Sequence, residues 1–246
     1  MTPDTAMVLA AGLGTRMRPL TENRPKPLIE IAGRALVDHA LDTLAAGGVR
    51  RAVVNVHYLA DMAEAHLVER RRPDIFISDE RDELLETGGG LKKARPLLGD
   101  RPVFCTNTDQ VFLDGPGGPA ALRVARRWDE TRMSALLLLQ PVDNAPGYDG
   151  VGDFDLDAEG RLQRRGDAPS APYVFTGLQI IDPALLDDAP DGPFSTRLLW
   201  EKALAAGRLY GMVHDGGWMH VGTPEGLQEA ERRLAGHGND MRRSAL

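Results

Sequence analysis

Short runs of consecutive apolar residues alternate with stretches of helical period through about residue 140. Met7-Val8-Leu9-Ala10-Ala11 is one such run and ends at Gly12, as a buried strand entering a glycine loop does. Leu36, Ala40, Leu41 and Leu44 fall on one helical face, and Gly47-Gly48 closes that helix. Residues 52–56 predict a second strand, 59–69 a helix and 75–77 a third strand. Residues 88–98 predict a helix with Pro96 near its end, followed by a strand at 103–106, a helix at 120–128 and a strand at 134–139. Strand and helix in alternation predict an α/β fold, a mostly parallel central sheet flanked by helices.

Beyond residue 140 the pattern changes. Residues 153–156, 162–163 and 173–181 predict short strands between Gly, Pro and Asp turns, a small β-rich insertion flanking the sheet. Helices are expected at 198–205 and 224–234, and a frayed tail from Gly236. No repeat or low-complexity linker divides the chain, so 1–246 is expected to form a single domain.

The chain has 246 residues, 42% hydrophobic and 26% charged, and a net charge of -7. That balance suits a soluble globular protein and argues against nucleic acid as a partner, because duplex binders carry a basic field. A nucleotide substrate stays open, since only the field at its own site matters. Cys105 is the single cysteine, so no intrachain disulfide forms, and its apolar neighbours predict a buried thiol. No stretch approaches the roughly 18 apolar residues of a membrane span, and the first apolar run lacks the basic region of a signal peptide. A cytoplasmic location without membrane contact is the expectation.

The candidate chemistry begins at Ala11-Gly12-Leu13-Gly14-Thr15-Arg16, directly after the first strand. Glycines there let backbone N–H groups face a phosphate, and Thr15, Arg16 and Arg18 add side-chain donors. Met17 stands where a dinucleotide fingerprint has its third glycine, and no Gly-Lys-Ser/Thr follows as in a Walker A loop. Alone, the two glycines fit a plain tight turn equally well. Pro25-Lys26-Pro27 lies just downstream, and its prolines restrict where the Lys26 ammonium can reach. A cation held beside a polyphosphate loop is what a charged phosphoryl transition state requires.

Together, Gly12-Leu13-Gly14-Thr15-Arg16-Met17-Arg18-Pro19-Leu20 and Pro25-Lys26-Pro27-Leu28 resemble the paired signature of the sugar-phosphate nucleotidyltransferases. The resemblance spans nearly the whole chain. It implies a Rossmann-like nucleotidyltransferase fold, with a nucleotide-binding half to about residue 140 and a sugar-phosphate half at about 141–235. It also implies that Ala11, Gly12, Gly14, Thr15 and Arg16 hold the triphosphate, and that Arg16 and Lys26 are the catalytic cations. Leu85-Glu86-Thr87-Gly88-Gly89-Gly90 resembles the segment that faces the nucleobase, which brings Glu86, Thr87 and backbone groups of Gly88 to the nucleotide. Asn55, at the end of the second strand, is a further nucleotide candidate.

Asp109 closes the fourth strand after Asn107-Thr108, where the family usually has Gly before the Asp. It is the expected Mg²⁺ ligand. In Trp218-Met219-His220-Val221-Gly222-Thr223, His220 stands where the family has its second metal carboxylate, and imidazole suits Mg²⁺ poorly. Metal through water, contact with phosphate, or support of the loop are all open to it. Asn107, Asp153, Thr176, Gly177 and Trp218 are the expected acceptor contacts, with Trp218 placed at the pocket rim; a turn role for Asp153 and a core role for Trp218 stand beside these. The other five histidines show no ligand spacing. No hexapeptide-repeat region follows, unlike the longer acetylating members. The reaction implied is UMP transfer from UTP to N-acetylmuramate 1-phosphate, with mannose 1-phosphate and GTP, or another sugar or choline phosphate, as alternatives. A monomer or small homo-oligomer is expected. A nucleotide-sugar sensor without catalysis is the competing class, given His220 and Thr108.

Overall fold

The computed structural model describes residues 2–244, with side chains through Gly236. The expectation for His237 therefore lies outside the described side chains. The elements run β1 (Thr5–Leu9), a small hairpin of β2 (Glu30–Ile31) and β3 (Arg34–Ala35), α1 (Leu36–Ala46), β4 (Arg51–Val56), α2 (Ala60–Leu67) and β5 (Asp74–Asp79). Next come α3 (Glu86–Leu98), β6 (Val103–Asn107), β7 (Gln110–Leu113), α4 (Ala120–Arg127) and β8 (Ala135–Pro141). The last part holds β9 (Phe154–Leu156), β10 (Leu162–Arg164), β11 (Tyr173–Ile181), α5 (Arg197–Ala205), β12 (Leu209–Val213), β13 (Gly217–His220) and α6 (Pro224–Ser244).

The main sheet has the path β5-β4-β1-β6-β11-β8-β12, with β9 and β10 attached to the start of β11. Every strand of that path except β11 points the same way. The alternation along the first half thus yields the mostly parallel sheet it predicts. Inner strands such as β1 and β8 are continuous apolar runs because both faces are covered. Val8, Val54, Leu136 and Leu138 pack toward Leu41, Leu44 and Val124 on one face. Met7, Val53, Leu137 and Leu139 pack toward Leu91, Leu98 and Leu199 on the other. Cys105 lies in this second layer, and burial pushes its thiol up to about 12.

Two expectations change, and one strand pair had no counterpart in the hydrophobic pattern. Residues 173–181 do not flank the sheet: β11 sits inside it, hydrogen-bonded to β6 and β8. An antiparallel strand with an apolar stretch can occupy the middle of a sheet as readily as its edge, and periodicity does not tell the two apart. β7 and β13 pair with each other, away from the main sheet, over alternations too short to stand out. Finally, α6 continues to Ser244, past the expected fraying point at Gly236. Among the described residues no helix is long and apolar enough to cross a membrane.

Candidate active site

β1 has β4 on one side and β6 on the other, so the connections leaving its neighbours diverge and open a crevice at the strands' carboxyl ends. Ala11 and Gly12 after β1, Asn107 and Asp109 at the end of β6, and Lys26 line one cavity there, of about 250 Å³. Glu86 and Thr87 line its far wall. The sequence motifs from the two ends of the first half thus meet at one place.

Gly14 shapes the loop rather than the cavity wall. Its φ of 64° is left-handed, and a Cβ there would press on Lys26 Cβ and Thr21 Cγ2 at 3.0 Å. Thr21 donates its hydroxyl to the Gly14 carbonyl at 2.8 Å, which closes the loop between them. Thr15 is exposed and lies off the cavity. Arg16, expected at the triphosphate, instead lines two adjoining cavities, one of about 530 Å³ toward β11 and α5 and one of about 400 Å³ beside His220. Its guanidinium has no hydrogen bond or ion pair among the described residues.

Lys26 donates to Asp109 Oδ2 at 2.8 Å, and both side chains are largely buried. His220 Nε2 stands 3.6 Å from the same oxygen, with its Nδ1 3.3 Å from the Gly147 carbonyl. The β7–β13 pairing produces this contact by setting His220 opposite Gln110, while the Val221 N–H donates to the Asp109 carbonyl at 2.7 Å. Burial alone would raise the Asp109 carboxyl; His220 and Lys26 outweigh it and hold the group well below the usual carboxylate range.

Among the described residues no three His, Cys, Asp or Glu side chains cluster as a metal cage. Asp109 does fit Mg²⁺, which is commonly held by one or two carboxylates together with substrate phosphates and water. His220 is positioned as a partner of Asp109.

Asn55 lines the cavity, but both ends of its amide are committed. Oδ1 accepts the Ala10 N–H at 2.7 Å, and Nδ2 donates to Glu80 Oε1 at 2.8 Å. Glu80 is fully buried, and desolvation raises its carboxyl above the ordinary range despite the Asn55 bond. Asn55 therefore steadies the backbone behind the glycine loop. Glu80 escaped the sequence reading because a single Glu in a charged stretch reads as solvated.

The triple glycine also differs from expectation. The Gly88 N–H donates to the Phe194 carbonyl at 2.7 Å, so it does not face a nucleobase. A Cβ at Gly88 would overlap the Phe194 ring, and one at Gly90 would meet Glu80 Oε1 at 2.7 Å. These glycines let α3 pack closely against the segment before α5 and against Glu80. Thr87 does not cap α3: its hydroxyl accepts the Thr196 N–H at 2.9 Å and pairs with the Thr196 hydroxyl at 3.2 Å. Glu86 takes a left-handed φ of 58° at the cavity wall, a strained backbone for a residue with a side chain.

The acceptor candidates divide. Asp153 and Asn107 line the 530 Å³ cavity, and Asp153 Oδ2 accepts the Phe175 N–H at 3.0 Å. Thr176 and Gly177 form a bulge in β11 and are buried. The Thr176 hydroxyl donates to the Leu138 carbonyl at 2.8 Å, and Gly177 makes room for the Gln110 side chain. Trp218 is 3% exposed, packs with Ala145 and Val174, and donates its Nε1–H to the Thr176 carbonyl at 3.0 Å. It is a core residue and not a pocket rim, because that single donor finds its partner inside. Arg164, Arg197 and Trp200 also line this cavity, and no motif marks them in the sequence; an arginine at the start of an amphipathic helix carries no signal of its own.

A nucleotidyl transferase family model matches residues 5–236. The chain belongs to the nucleotidyl transferase family. It is 49% identical over 237 residues to an N-acetylmuramate alpha-1-phosphate uridylyltransferase of Caulobacter vibrioides, covering 95% of this chain and 98% of that one. A protein of the same name from Neisseria meningitidis is 34% identical, over 94% and 98% of the two chains. Among solved structures, a UDP-glucose pyrophosphorylase complexed with UDP-glucose superposes with a TM-score of 0.76 at 17% identity, over 96% and 99%. At that identity the likeness concerns the fold.

Proposed function

We propose that this protein transfers UMP from UTP to N-acetylmuramate 1-phosphate, releasing pyrophosphate, and so serves the recycling of cell-wall sugar in the cytoplasm. The near end-to-end similarity to a uridylyltransferase of that acceptor supports the reading. So does the single observation that carries the chemistry: Lys26 and Asp109, 83 residues apart, meet at 2.8 Å on the wall of the cavity behind the glycine loop.

On this reading the chain acts as one nucleotidyltransferase domain. The part to about residue 140 takes the nucleotide and residues 141–235 take the sugar phosphate; β11 from the second part lying inside the sheet of the first supports the unity. Ala11 and Gly12 offer backbone to the phosphates, and Glu86 and Thr87 flank the nucleoside. An oxygen of the acceptor's phosphate attacks the α-phosphorus, a new P–O bond forms, and the bond to the β-phosphate breaks with its electron pair leaving on pyrophosphate. That oxygen is already ionised, so no general base is needed. Lys26, with donors beyond the one Asp109 accepts, stabilises charge on the transferring phosphoryl group. Arg16 lies where acceptor and phosphates would meet and steers both. Asp109 would hold Mg²⁺ with the phosphates, and the ion when bound supplies charge neutralisation at the reacting oxygens. His220 orients the Asp109 carboxylate.

The test is Mg²⁺-dependent pyrophosphate release over a panel of nucleoside triphosphates and sugar 1-phosphates. UTP with N-acetylmuramate 1-phosphate is expected to give the highest kcat/KM. Preference for GTP with mannose 1-phosphate overturns the substrate assignment, and nucleotide binding without release across the panel overturns the enzyme.

A further inference from the structure

The acceptor in the proposed reaction is an acid in two places. Besides its phosphate it carries a carboxylate, on the lactyl ether that distinguishes N-acetylmuramate from N-acetylglucosamine. With the phosphate directed at the nucleotide beside Lys26, that carboxylate projects from the far side of the sugar ring. The 530 Å³ cavity adjoins the nucleotide cavity through Thr87 and Asn107, so it lies where the sugar would extend.

Three arginines line this cavity, Arg16, Arg164 and Arg197, against one carboxylate, Asp153. The arginines are not equivalent. Arg164 donates to Glu201 Oε1 at 2.7 Å, which offsets its charge. Arg16 also borders the cavity beside His220 and so lies on the phosphate side. Arg197 is exposed, and its guanidinium has no hydrogen bond or ion pair among the described residues. Its backbone is nevertheless held in place: its N–H donates to Ser195 Oγ at 3.3 Å, and Thr196 before it is clamped to Thr87. Asp153 does not compete for it, since Oδ2 already accepts the Phe175 N–H and no ion pair joins the two. A free guanidinium on an anchored backbone can close on a carboxylate with two parallel N–H bonds.

We propose that Arg197 binds the lactyl carboxylate of the acceptor and sets the preference for N-acetylmuramate 1-phosphate over its neutral counterpart. The inference rests on the function proposed above and assigns one specificity residue to it. The clamp between Thr87 and Thr196 ties this contact to the wall of the nucleotide cavity, so both substrates share one rigid corner.

The experiment compares kcat/KM for N-acetylmuramate 1-phosphate and N-acetylglucosamine 1-phosphate, both with UTP, in the parent and in Arg197→Gln and Arg197→Lys. Removing charged hydrogen bonds of this kind is expected to cost Arg197→Gln roughly 10–100-fold on N-acetylmuramate 1-phosphate, mainly through KM. The loss with the neutral sugar is expected to be much smaller, and Arg197→Lys restores part of the difference. Equal losses on both sugars, or none on either, overturn the role of Arg197 while leaving the proposed function standing. A parent enzyme that does not use N-acetylmuramate 1-phosphate overturns both. Unchanged melting temperatures in the two variants establish that folding does not confound the comparison.

Discussion

Replacing Asn55 with Leu tests whether this side chain holds the site together from behind. The substitution keeps the approximate shape and removes both polar contacts. The Ala10 N–H, bonded at 2.7 Å in a buried position, loses its acceptor, and an unsatisfied buried group of this kind costs about 1–3 kcal/mol. Glu80, fully buried, loses the donor at 2.8 Å, and a hydrogen bond to a charged group contributes about 1.5–3 kcal/mol. The two losses together predict about 2.5–6 kcal/mol, which in a chain of this size lowers Tm by roughly 5–24 °C. Urea and thermal unfolding measure the loss directly. Turnover should fall as well, because Ala10 leads into the backbone that lines the cavity. Asn55→Asp separates the two contacts: it retains an acceptor for Ala10 but sets a second carboxylate against Glu80. Two such groups cannot both ionise cheaply, so its deficit should shrink as pH falls and the pair takes up a proton. An Asn55→Leu protein within about 0.5 kcal/mol of the parent, the range of an ordinary surface change, refutes the reasoning.

Other consequences follow from the same geometry. Lys26→Ala should lower kcat by about 10²–10³ with the fold retained, since Asp109 keeps His220 as a neighbour; near-normal turnover in a folded variant removes Lys26 from the chemistry. Glu80 has a folded-state value above the ordinary 4.5, so the stability linked to its proton is complete below that value and is lost as pH rises through the raised one. Glu80→Gln should erase this fall, and parallel urea midpoint-against-pH curves for parent and variant contradict it. Cys105, fully buried with its thiol pushed up to about 12, should resist thiol reagents until the protein unfolds; rapid labelling under native conditions argues against its placement.

The sheet core was legible in the sequence because each buried strand is a contiguous apolar run and each helix repeats on its own face. The cavity behind the glycine loop was legible for a similar reason, since Ala11, Gly12 and Lys26 fall within one short stretch whose prolines and glycines restrict the backbone. Asp109 was legible as a strand-end carboxylate. What these residues touch was not. Lys26 meets Asp109 across 83 positions and Thr87 meets Thr196 across 109. Such meetings depend on which strand lies beside which, and β11 entering the sheet between β6 and β8 is what brings residues 153–200 to the cavity that adjoins the one behind the glycine loop. The roles of Asn55, Trp218 and the triple glycine turned on the same point. An amide, an indole N–H or an exposed backbone N–H reads as available until the fold supplies its partner. The sequence alone determined the kind of phosphate chemistry, through motifs closed over short spans. Only the tertiary structure decided which polar groups are left facing the cavities, because burial and hydrogen-bond partners are set by contacts between distant parts of the chain.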